Sequence, residues 1–271
     1  MYYNLFDSHI HSDNSPDGVH AATFLCENAV ARGLSGIAIT DHCEMHRFQE
    51  QQVSRRLRQS YFETLKARVS FCQRLIVSFG MELGQPNADY ALSEKILAEY
   101  PYDFVLGSLH SVQNINFHHL DAKELSGTEL DDELVRYYTT LLEIVSWGKF
   151  DALAHLTYPV RYVTGRDKVE IPQARLDELV EPVLRRMVEK GIALELNTSG
   201  YRQGLGGPMP AMRYLSWYRQ MGGETITIGS DAHSAPAVGS HISDAMELLA
   251  QCGFTHFAFY RRRKPEYLRI V

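Results

Sequence analysis

Gly36-Ile37-Ala38-Ile39-Thr40-Asp41-His42 is the stretch that decides the fold, because a short apolar run ends there in polar residues. A helical pattern precedes it, from Phe24 to Arg32, and stops at Gly33. Glycine after a helix is a common left-handed cap, and a short apolar run after it suits a strand buried on both faces. The stretch therefore predicts a helix, a tight turn and a buried strand, with Asp41 and His42 at the end of the strand.

The same unit recurs along the chain. Three further helical patterns stop at Gly148, Gly191 and Gly222, and an apolar run follows each of them. In all we count about seven strands by this pattern, which start at Phe6, Ile37, Val77, Phe104, Ala152, Ala193 and Thr227. Strands that alternate with helices are parallel and are joined by helical crossovers. We therefore expect one domain, residues 1–271, folded as a (β/α) barrel, and a doubly wound open sheet is the alternative.

Three segments do not follow this unit. The apolar run Phe257 to Tyr260 is either an eighth strand or a closing segment. Pro182 lies inside a helical pattern and should kink or split that helix. The segment from Gln113 to Thr128 has the weakest pattern and is interpreted as a long loop.

Composition excludes several classes of function. The chain has 271 residues, with 27 Lys and Arg against 33 Asp and Glu, and its formal charge of −6 disfavours a general nucleic-acid binder. No signal peptide pattern opens the sequence, and no apolar run reaches the length of a membrane span. The four cysteines are scattered and none forms a C-x-x-C pair. We interpret Cys26, Cys43, Cys72 and Cys252 as free thiols of a cytoplasmic protein.

Residue types that ligate metals follow the predicted strands. They are His9, His11, His42, Glu82, His110, His155, Asp231 and His233. The ends of parallel strands open on one face of a barrel, and active sites lie on that face. His9 and His11 alternate along a strand and so point to the same side, and Asp231 and His233 repeat this spacing. Imidazole and carboxylate suit Zn, Mn and Fe, whereas the scattered cysteines argue against a thiolate site.

A single histidine is more often a hydrogen-bonded surface or core residue than a metal ligand, and that alternative is kept for histidines outside this register. They are His20, His46, His118, His119, His241 and His256. His118 and His119 lie in the predicted long loop, from which they could touch a substrate.

The motifs at the strand ends resemble those of the PHP (polymerase and histidinol phosphatase) family. They are His9-x-His11, Asp17-Gly18, Thr40-Asp41-His42, Gly80-Met81-Glu82, Ser108-Leu109-His110, Ala154-His155 and Ser230-Asp231-Ala232-His233. The matches run from Phe6 to Ser240 in the family's order and so cover nearly the whole chain. Within the family, the length of the chain and its segments 13–18 and 197–202 are most similar to the histidinol phosphate phosphatases.

This resemblance implies a distorted (β/α)₇ barrel with a trinuclear site of Zn, Mn or Fe at the carboxyl ends of the strands. It implies three ligand sets: His9, His11, Glu82 and Asp231 for one metal; His110, His155 and a shared Glu82 for the second; Asp17, His42 and His233 for the third. Many relatives carry a histidine where Asp17 stands here.

The resemblance also implies the reaction, hydrolysis of L-histidinol phosphate to L-histidinol and phosphate in histidine biosynthesis. Six neutral histidines and three carboxylates leave three divalent cations with excess positive charge, which suits a metal-bound hydroxide and a phosphate dianion. Glu82 would bridge two metals, and Asp231, His233 or a metal-bound water could protonate the leaving alkoxide. Arg161 and Arg202 lie just past strand ends, where their planar forks could bind phosphate.

Two other classes of function are alternatives to the hydrolysis of histidinol phosphate. A phosphotyrosyl-protein phosphatase or a nucleotide phosphoesterase could use the same metal site. A PHP proofreading or scaffold module is the weaker alternative, because the chain is acidic and no basic stripe interleaved with aromatics is visible. The expected partner is a small phosphate monoester, with no nucleic acid and no membrane, and the sequence gives no indication of the oligomeric state.

Overall fold

The computed structural model describes residues 3–113 and 115–270. The strands in these ranges are β1 (Phe6–Ile10), β2 (Gly36–Ile39), β3 (His42–Glu44), β4 (Ile76–Gly84), β5 (Phe104–Ser108), β6 (Ser111–Val112), β7 (Ile115–Asn116), β8 (Ala152–Leu153), β9 (Ala193–Asn197), β10 (Ile226–Gly229), β11 (His256–Arg261) and β12 (Lys264–Arg269). The helices are α1 (Ala22–Ala31), α2 (Val53–Phe71), α3 (Tyr90–Glu99), α4 (Gly127–Trp147), α5 (Tyr158–Val160), α6 (Gln173–Lys190), α7 (Met212–Gln220) and α8 (Ile242–Gln251). One π-helical turn, Arg161–Arg166, continues α5.

Seven parallel strands form a nearly closed barrel in the order β1-β2-β4-β5-β8-β9-β10. The two ends of this sheet meet, because the His11 amide donates to the Ala232 carbonyl (2.8 Å) and the Asp231 amide donates to the His9 carbonyl (2.8 Å). The predicted seven-stranded barrel is confirmed, and the open doubly wound sheet is excluded. Each of the seven predicted strand starts lies within one residue of the observed start.

The helices pack outside the barrel and end as the sequence predicts. Gly148 and Gly191 cap α4 and α6 with positive φ values of 66° each, a conformation that glycine adopts without steric cost. The helix α6 runs unbroken through Pro182, so the prediction of a split helix is wrong. Pro182 and Glu178 both lie on the exposed side, and water can therefore bind the carbonyl that the proline leaves without a donor.

The apolar run Phe257 to Tyr260 lies in β11, which pairs antiparallel with β12 and is not an eighth barrel strand. This hairpin covers the amino-terminal end of the barrel. The rings of Phe259 and Tyr260 stack on Phe6 and Phe104, the first residues of β1 and β5, at 4.7 and 4.9 Å. The hairpin therefore closes one end of the barrel, and the carboxyl ends of the strands remain for the site.

The segment predicted as a long loop contains more structure than the sequence suggests. The strand β7 lies there and pairs antiparallel with β6, which comes just before the segment, and a short 3₁₀ turn covers Ala122–Glu124. Asn114 lies outside the described residues. Within residues 3–113 and 115–270, no helix is both long and apolar enough to cross a membrane.

Candidate metal centre

Nine side chains predicted as metal ligands converge at the carboxyl ends of the barrel strands. His9 and Glu82 lie in β1 and β4, His42 begins β3, and Asp17 lies in the loop after β1. The other five lie within four residues beyond a strand end, and they are His11, His110, His155, Asp231 and His233. Glu82 is 1% exposed and stands at the centre of the group.

Four of these side chains bring their ligand atoms together in one place. His9 Nε2 lies 3.0 Å from His11 Nε2, 3.4 Å from Glu82 Oε2 and 3.8 Å from Asp231 Oδ1. His11 Nε2 lies 3.5 Å from both of those carboxylate oxygens. Ligands on a tetrahedral metal with bonds of about 2.0–2.2 Å are separated by roughly 3.3–3.6 Å. The observed spacing therefore fits one divalent ion.

The other oxygen of Glu82 faces a second pair of histidines. Glu82 Oε1 lies 3.1 Å from His110 Nε2 and 2.9 Å from His155 Nε2, and these two nitrogens are 3.3 Å apart. The two oxygens of one carboxylate are thus shared between two clusters, which is the geometry a bridging ligand needs.

A third cluster lies closer to the opening of the site. Asp17 approaches His42 Nε2 at 3.6 Å and His233 Nε2 at 3.3 Å, and its side chain is 59% exposed. Nitrogens of His11, His42 and His233 also lie within 4.8 Å of one another. His42 Nδ1 approaches Glu82 Oε2 at 2.9 Å, so His42 connects this cluster to the central carboxylate.

In His9 and His110, the hydrogen bond at Nδ1, which points away from the clusters, determines whether Nε2 is free to bind a metal. His9 Nδ1 lies 2.6 Å from Glu195 Oε1, and His110 Nδ1 lies 2.7 Å from Glu44 Oε1. An ionised carboxylate only accepts, so each Nδ1 carries a hydrogen and each Nε2 is left to face inward.

A cation would satisfy the inward-facing atoms. The Ser15 hydroxyl donates to Asp41 (2.8 Å) and therefore accepts from His11 Nδ1 (3.1 Å), which directs His11 Nε2 toward His9 Nε2. Among the described residues, neither Glu82 Oε2 nor His42 Nδ1 makes a hydrogen bond, although both atoms are buried and lie 2.9 Å apart. Two facing imidazole nitrogens beside an unpartnered carboxylate oxygen form a donor set that fits Zn, Mn or Fe.

The two arginines predicted to bind phosphate lie on the wall of a cavity of ≈ 630 Å³ that opens onto these clusters. Arg161 Nη1 lies 3.4 Å from Asp231 Oδ2, and its guanidinium stands 5.1 Å from the centre of the Tyr162 ring. Arg202 Nη2 donates to the Ser230 carbonyl at 2.7 Å. Both guanidinium groups therefore flank the end of β10, beside the Asp231 carboxylate.

Three of the histidines outside the strand-end register also line this cavity, namely His46, His118 and His119. Of the others, His20 Nδ1 accepts from the Ala235 amide (3.2 Å), His241 lies 2.6 Å from Asp244, and His256 is exposed. His20, His241 and His256 are thus ordinary surface or hydrogen-bonded histidines, whereas the loop that carries His118 and His119 does reach the site.

The comparisons with known proteins agree with this arrangement. The model of the PHP domain family matches residues 7–199. The chain belongs to the PHP domain family. A histidinol-phosphatase from Lactococcus lactis subsp. lactis (strain IL1403) is 27% identical to this PHP chain over 263 residues, which are 95% of each protein. A protein from Deinococcus radiodurans named "probable histidinol-phosphatase" is also 27% identical and covers 96% of the PHP chain and 98% of its own length.

A solved structure confirms the fold of this PHP domain. The crystal structure of histidinol phosphate phosphatase from Lactococcus lactis subsp. lactis, complexed with Zn, L-histidinol and phosphate, superposes with a TM-score of 0.80 at 24% identity. The match covers 97% of the PHP chain and 99% of that structure. The family model, which matches residues 7–199, confirms the sequence-based prediction of the family.

Sequence reasoning missed two carboxylates of the PHP site, Glu44 and Glu195, which are 6% and 0% exposed. Each accepts a hydrogen bond from Nδ1 of one clustered histidine, Glu44 from His110 and Glu195 from His9. A signal for Glu195 was present, because it interrupts the apolar run Ile192 to Leu196, and a charge in a buried strand needs a partner. Glu44 lies two residues after His42 and so on the same side of β3.

The close packing of carboxylates and imidazoles shifts the pKa values of Glu82 and His110 in the PHP site. Burial opposes ionisation of Glu82, but the surrounding His110, His42 and His9 lower its pKa well below the usual range. Burial likewise opposes the charge on His110, yet Glu44 and Glu82 raise its pKa to about 10. Glu82 is therefore ionised, and a metal that binds His110 must displace a proton from it.

Two residues of the PHP site have an unusual backbone conformation. His155 and Asp231 have φ values of 31° and 55°, in the left-handed region that costs residues other than glycine of order 1–3 kcal/mol. Hydrogen bonds hold both in place: the His155 amide donates to Glu195 Oε2 at 2.8 Å, and the Asp231 amide donates to the His9 carbonyl. The strain is therefore stored where the chain turns two side chains toward the clusters.

Proposed function

We propose that this chain hydrolyses L-histidinol phosphate to L-histidinol and phosphate, the phosphatase step of histidine biosynthesis. The observation that carries the proposal is the convergence of eight side chains predicted as metal ligands around a ninth, Glu82, next to two arginines on the wall of one cavity. The substrate is inferred from the histidinol-phosphatases named above, because they match this chain over nearly its whole length.

We propose three ligand sets for three divalent ions, of Zn, Mn or Fe. The first is His9, His11, Glu82 and Asp231; the second is His110, His155 and Glu82; the third is Asp17, His42 and His233. The spacing of the nitrogens and oxygens described above supports each set, and the unpartnered Glu82 Oε2 supports a cation in the first set.

Divalent cations held by these residues would lower the pKa of a coordinated water from about 15.7 to about 7 and so would supply hydroxide at neutral pH. The residues of the chain then bind and orient the substrate. Arg161 and Arg202 donate to phosphate oxygens, and their planar forks suit that contact. The leaving alkoxide must take up a proton, and we propose that Asp231 or His233 passes to it the proton that the attacking water gives up.

The dimensions of the site favour a small substrate. A cavity of ≈ 630 Å³ lies within the range of about 300–1,000 Å³ that is typical of small-molecule sites. Tyr158, Tyr162 and His118 give one side of the cavity an aromatic lining, which suits a compact imidazole-bearing alcohol better than a protein surface. A cytoplasmic location is part of the proposal and is supported by four cysteines that are all free.

The test is a steady-state comparison of substrates on one metal-loaded preparation. Histidinol phosphate, phosphotyrosine, nucleoside monophosphates and single-stranded DNA are compared by kcat/KM. The proposal expects histidinol phosphate to be hydrolysed fastest and chelation to abolish that activity. A higher kcat/KM for phosphotyrosine or a nucleotide would indicate a different phosphoesterase activity, and cleavage of DNA alone would indicate a proofreading module.

A further inference from the structure

Glu195 is a buried carboxylate that connects two of the proposed ligand sets. Its Oε1 accepts from His9 Nδ1 at 2.6 Å, and its Oε2 accepts from the His155 amide at 2.8 Å. A second donor to Oε2 is Asn197 Nδ2, at 3.0 Å. Glu195 therefore contacts the ring of His9, a residue of the first set, and the backbone of His155, a residue of the second set.

The same network continues to the carboxylate of the first set. Asn197 Oδ1 accepts from the amide and the hydroxyl of Ser199, at 3.0 and 2.6 Å. The Ser199 hydroxyl also lies 3.2 Å from Asp231 Oδ2. A continuous path of buried side chains thus runs from His9 through Glu195 to Asp231, two ligands of the same proposed ion.

The neighbouring strand leaves space for this pair. A Cβ atom at Gly229 would lie 2.4 Å from His9 Cβ and 2.5 Å from Glu195 Oε1, closer than real Cβ contacts. Only glycine therefore allows β10 to pass the His9–Glu195 pair without displacing it. This is a second, independent observation that the pair is built into the barrel.

We propose that Glu195 is a positioning residue that sets the affinity of the metal in the first ligand set. It fixes the His9 tautomer that leaves Nε2 free, and it restrains the His155 backbone in its left-handed conformation. The inference rests on the proposed metal centre, because Glu195 acts only through residues of that centre. The competing view is that Glu195 merely satisfies buried donors of the fold.

The chemistry of glutamine separates these views. In Glu195→Gln, an amide oxygen directed at His9 places the NH₂ group against the His155 amide and Asn197 Nδ2, so that donors face donors. The opposite orientation places NH₂ against His9 Nδ1 and drives the ring to the tautomer whose Nε2 carries hydrogen and cannot ligate. The second orientation thus weakens the first set at His9, and the first orientation weakens it through Asn197, whose network reaches Asp231. The third set, which Glu195 does not touch, is unaffected.

The experiment measures zinc retention as well as activity. Wild type, Glu195→Gln and Asn197→Ala are loaded with Zn²⁺ and equilibrated against a series of chelator buffers of decreasing free Zn²⁺, and zinc per chain is measured. The control is Asp151→Asn, because Asp151 is partly buried, with its side chain 8% exposed, and also accepts from a backbone amide, that of Val105 (2.8 Å), but at the amino-terminal end of the barrel. Thermal unfolding of each metal-free variant reports the effect on the fold itself.

We expect Glu195→Gln to weaken one step of zinc binding by about 10–100-fold, the usual effect of losing the partner of a metal-bound histidine. Asn197→Ala keeps the charge but loses one restraint, so a smaller weakening of the same step is expected. Asp151→Asn should lower thermal stability and leave every zinc step unchanged.

Three results would overturn the assignment of Glu195. They are a zinc profile of Glu195→Gln that matches the wild type, an equal weakening of all steps, and, should Glu195→Gln not fold, a wild-type zinc profile for Asn197→Ala. A wild-type protein that binds no zinc would instead refute the proposed metal centre, so the two failures are distinguishable.

Discussion

Replacing Glu82 by glutamine should disable the proposed centre more than any other single change. The side chain is 1% exposed, and glutamine fills the same volume, so that packing is preserved. Glu82 Oε1 faces two imidazole nitrogens at 2.9–3.1 Å, and Oε2 faces three, those of His9 and His11 at 3.4–3.5 Å and that of His42 at 2.9 Å. The amide can offer an oxygen to only one side, and the centre also loses one negative charge.

The magnitude follows from that loss of charge. Buried charges left without their partner cost about 3–5 kcal/mol, which corresponds to between about a hundredfold and a few thousandfold in rate. Zinc retained per chain after dialysis and kcat for histidinol phosphate are measured on one sample. The control is Glu247→Gln, which removes the same charge at an exposed position of α8 and should behave as wild type. Full zinc content with near-normal kcat in Glu82→Gln would refute the shared role of this carboxylate.

Three other outcomes are expected. Arg161→Met and Arg202→Met should each lose roughly 1.5–3 kcal/mol of phosphate binding, or on the order of ten- to hundredfold in kcat/KM, with unchanged metal content; wild-type kcat/KM in both would place the phosphate clamp elsewhere. Because the pKa of His110 is raised to about 10 by Glu44 and Glu82 despite burial, metal must displace a proton there. Zinc affinity should therefore fall by about tenfold per pH unit for each proton displaced as the pH is lowered, and chelator competition that gives one affinity between about pH 6 and pH 8 would contradict this. Thiol counting should find four free cysteines after denaturation, whereas in the native protein the exposed Cys72 should react before Cys26, whose pKa burial raises to about 12; a blocked pair in an unoxidised sample would argue against a reducing compartment.

The sequence predicted the barrel well because its signals are local. An apolar run that begins after a glycine cap, as at Gly191, is buried on both faces wherever it lies in a parallel sheet. The polar residues that end these runs share one face because parallel strands share one direction, and this placed His9 and His155 together although they are far apart in sequence.

The parts that sequence reasoning missed depend on contacts between distant elements. The strand β3 is short and polar, and it forms because His42 and Glu44 pair with β4 rather than by any propensity of their own. Glu195 was hidden within an apolar strand, and its partner His9 is 186 residues away. The position of the carboxyl-terminal hairpin was also open, because Phe259 finds its ring partner only once β1 is in the barrel.

The most direct test of the metal centre is a crystal structure of the metal-loaded protein with phosphate, with anomalous diffraction recorded at the metal absorption edges. We predict three anomalous peaks: one among His9, His11, Glu82 and Asp231, one beside His110 and His155, and one beside Asp17, His42 and His233. We also predict a phosphate in contact with those metals and within hydrogen-bond reach of Arg161 and Arg202. Peaks located elsewhere, or a phosphate bound in the cavity with no metal at these side chains, would contradict the proposed metal centre.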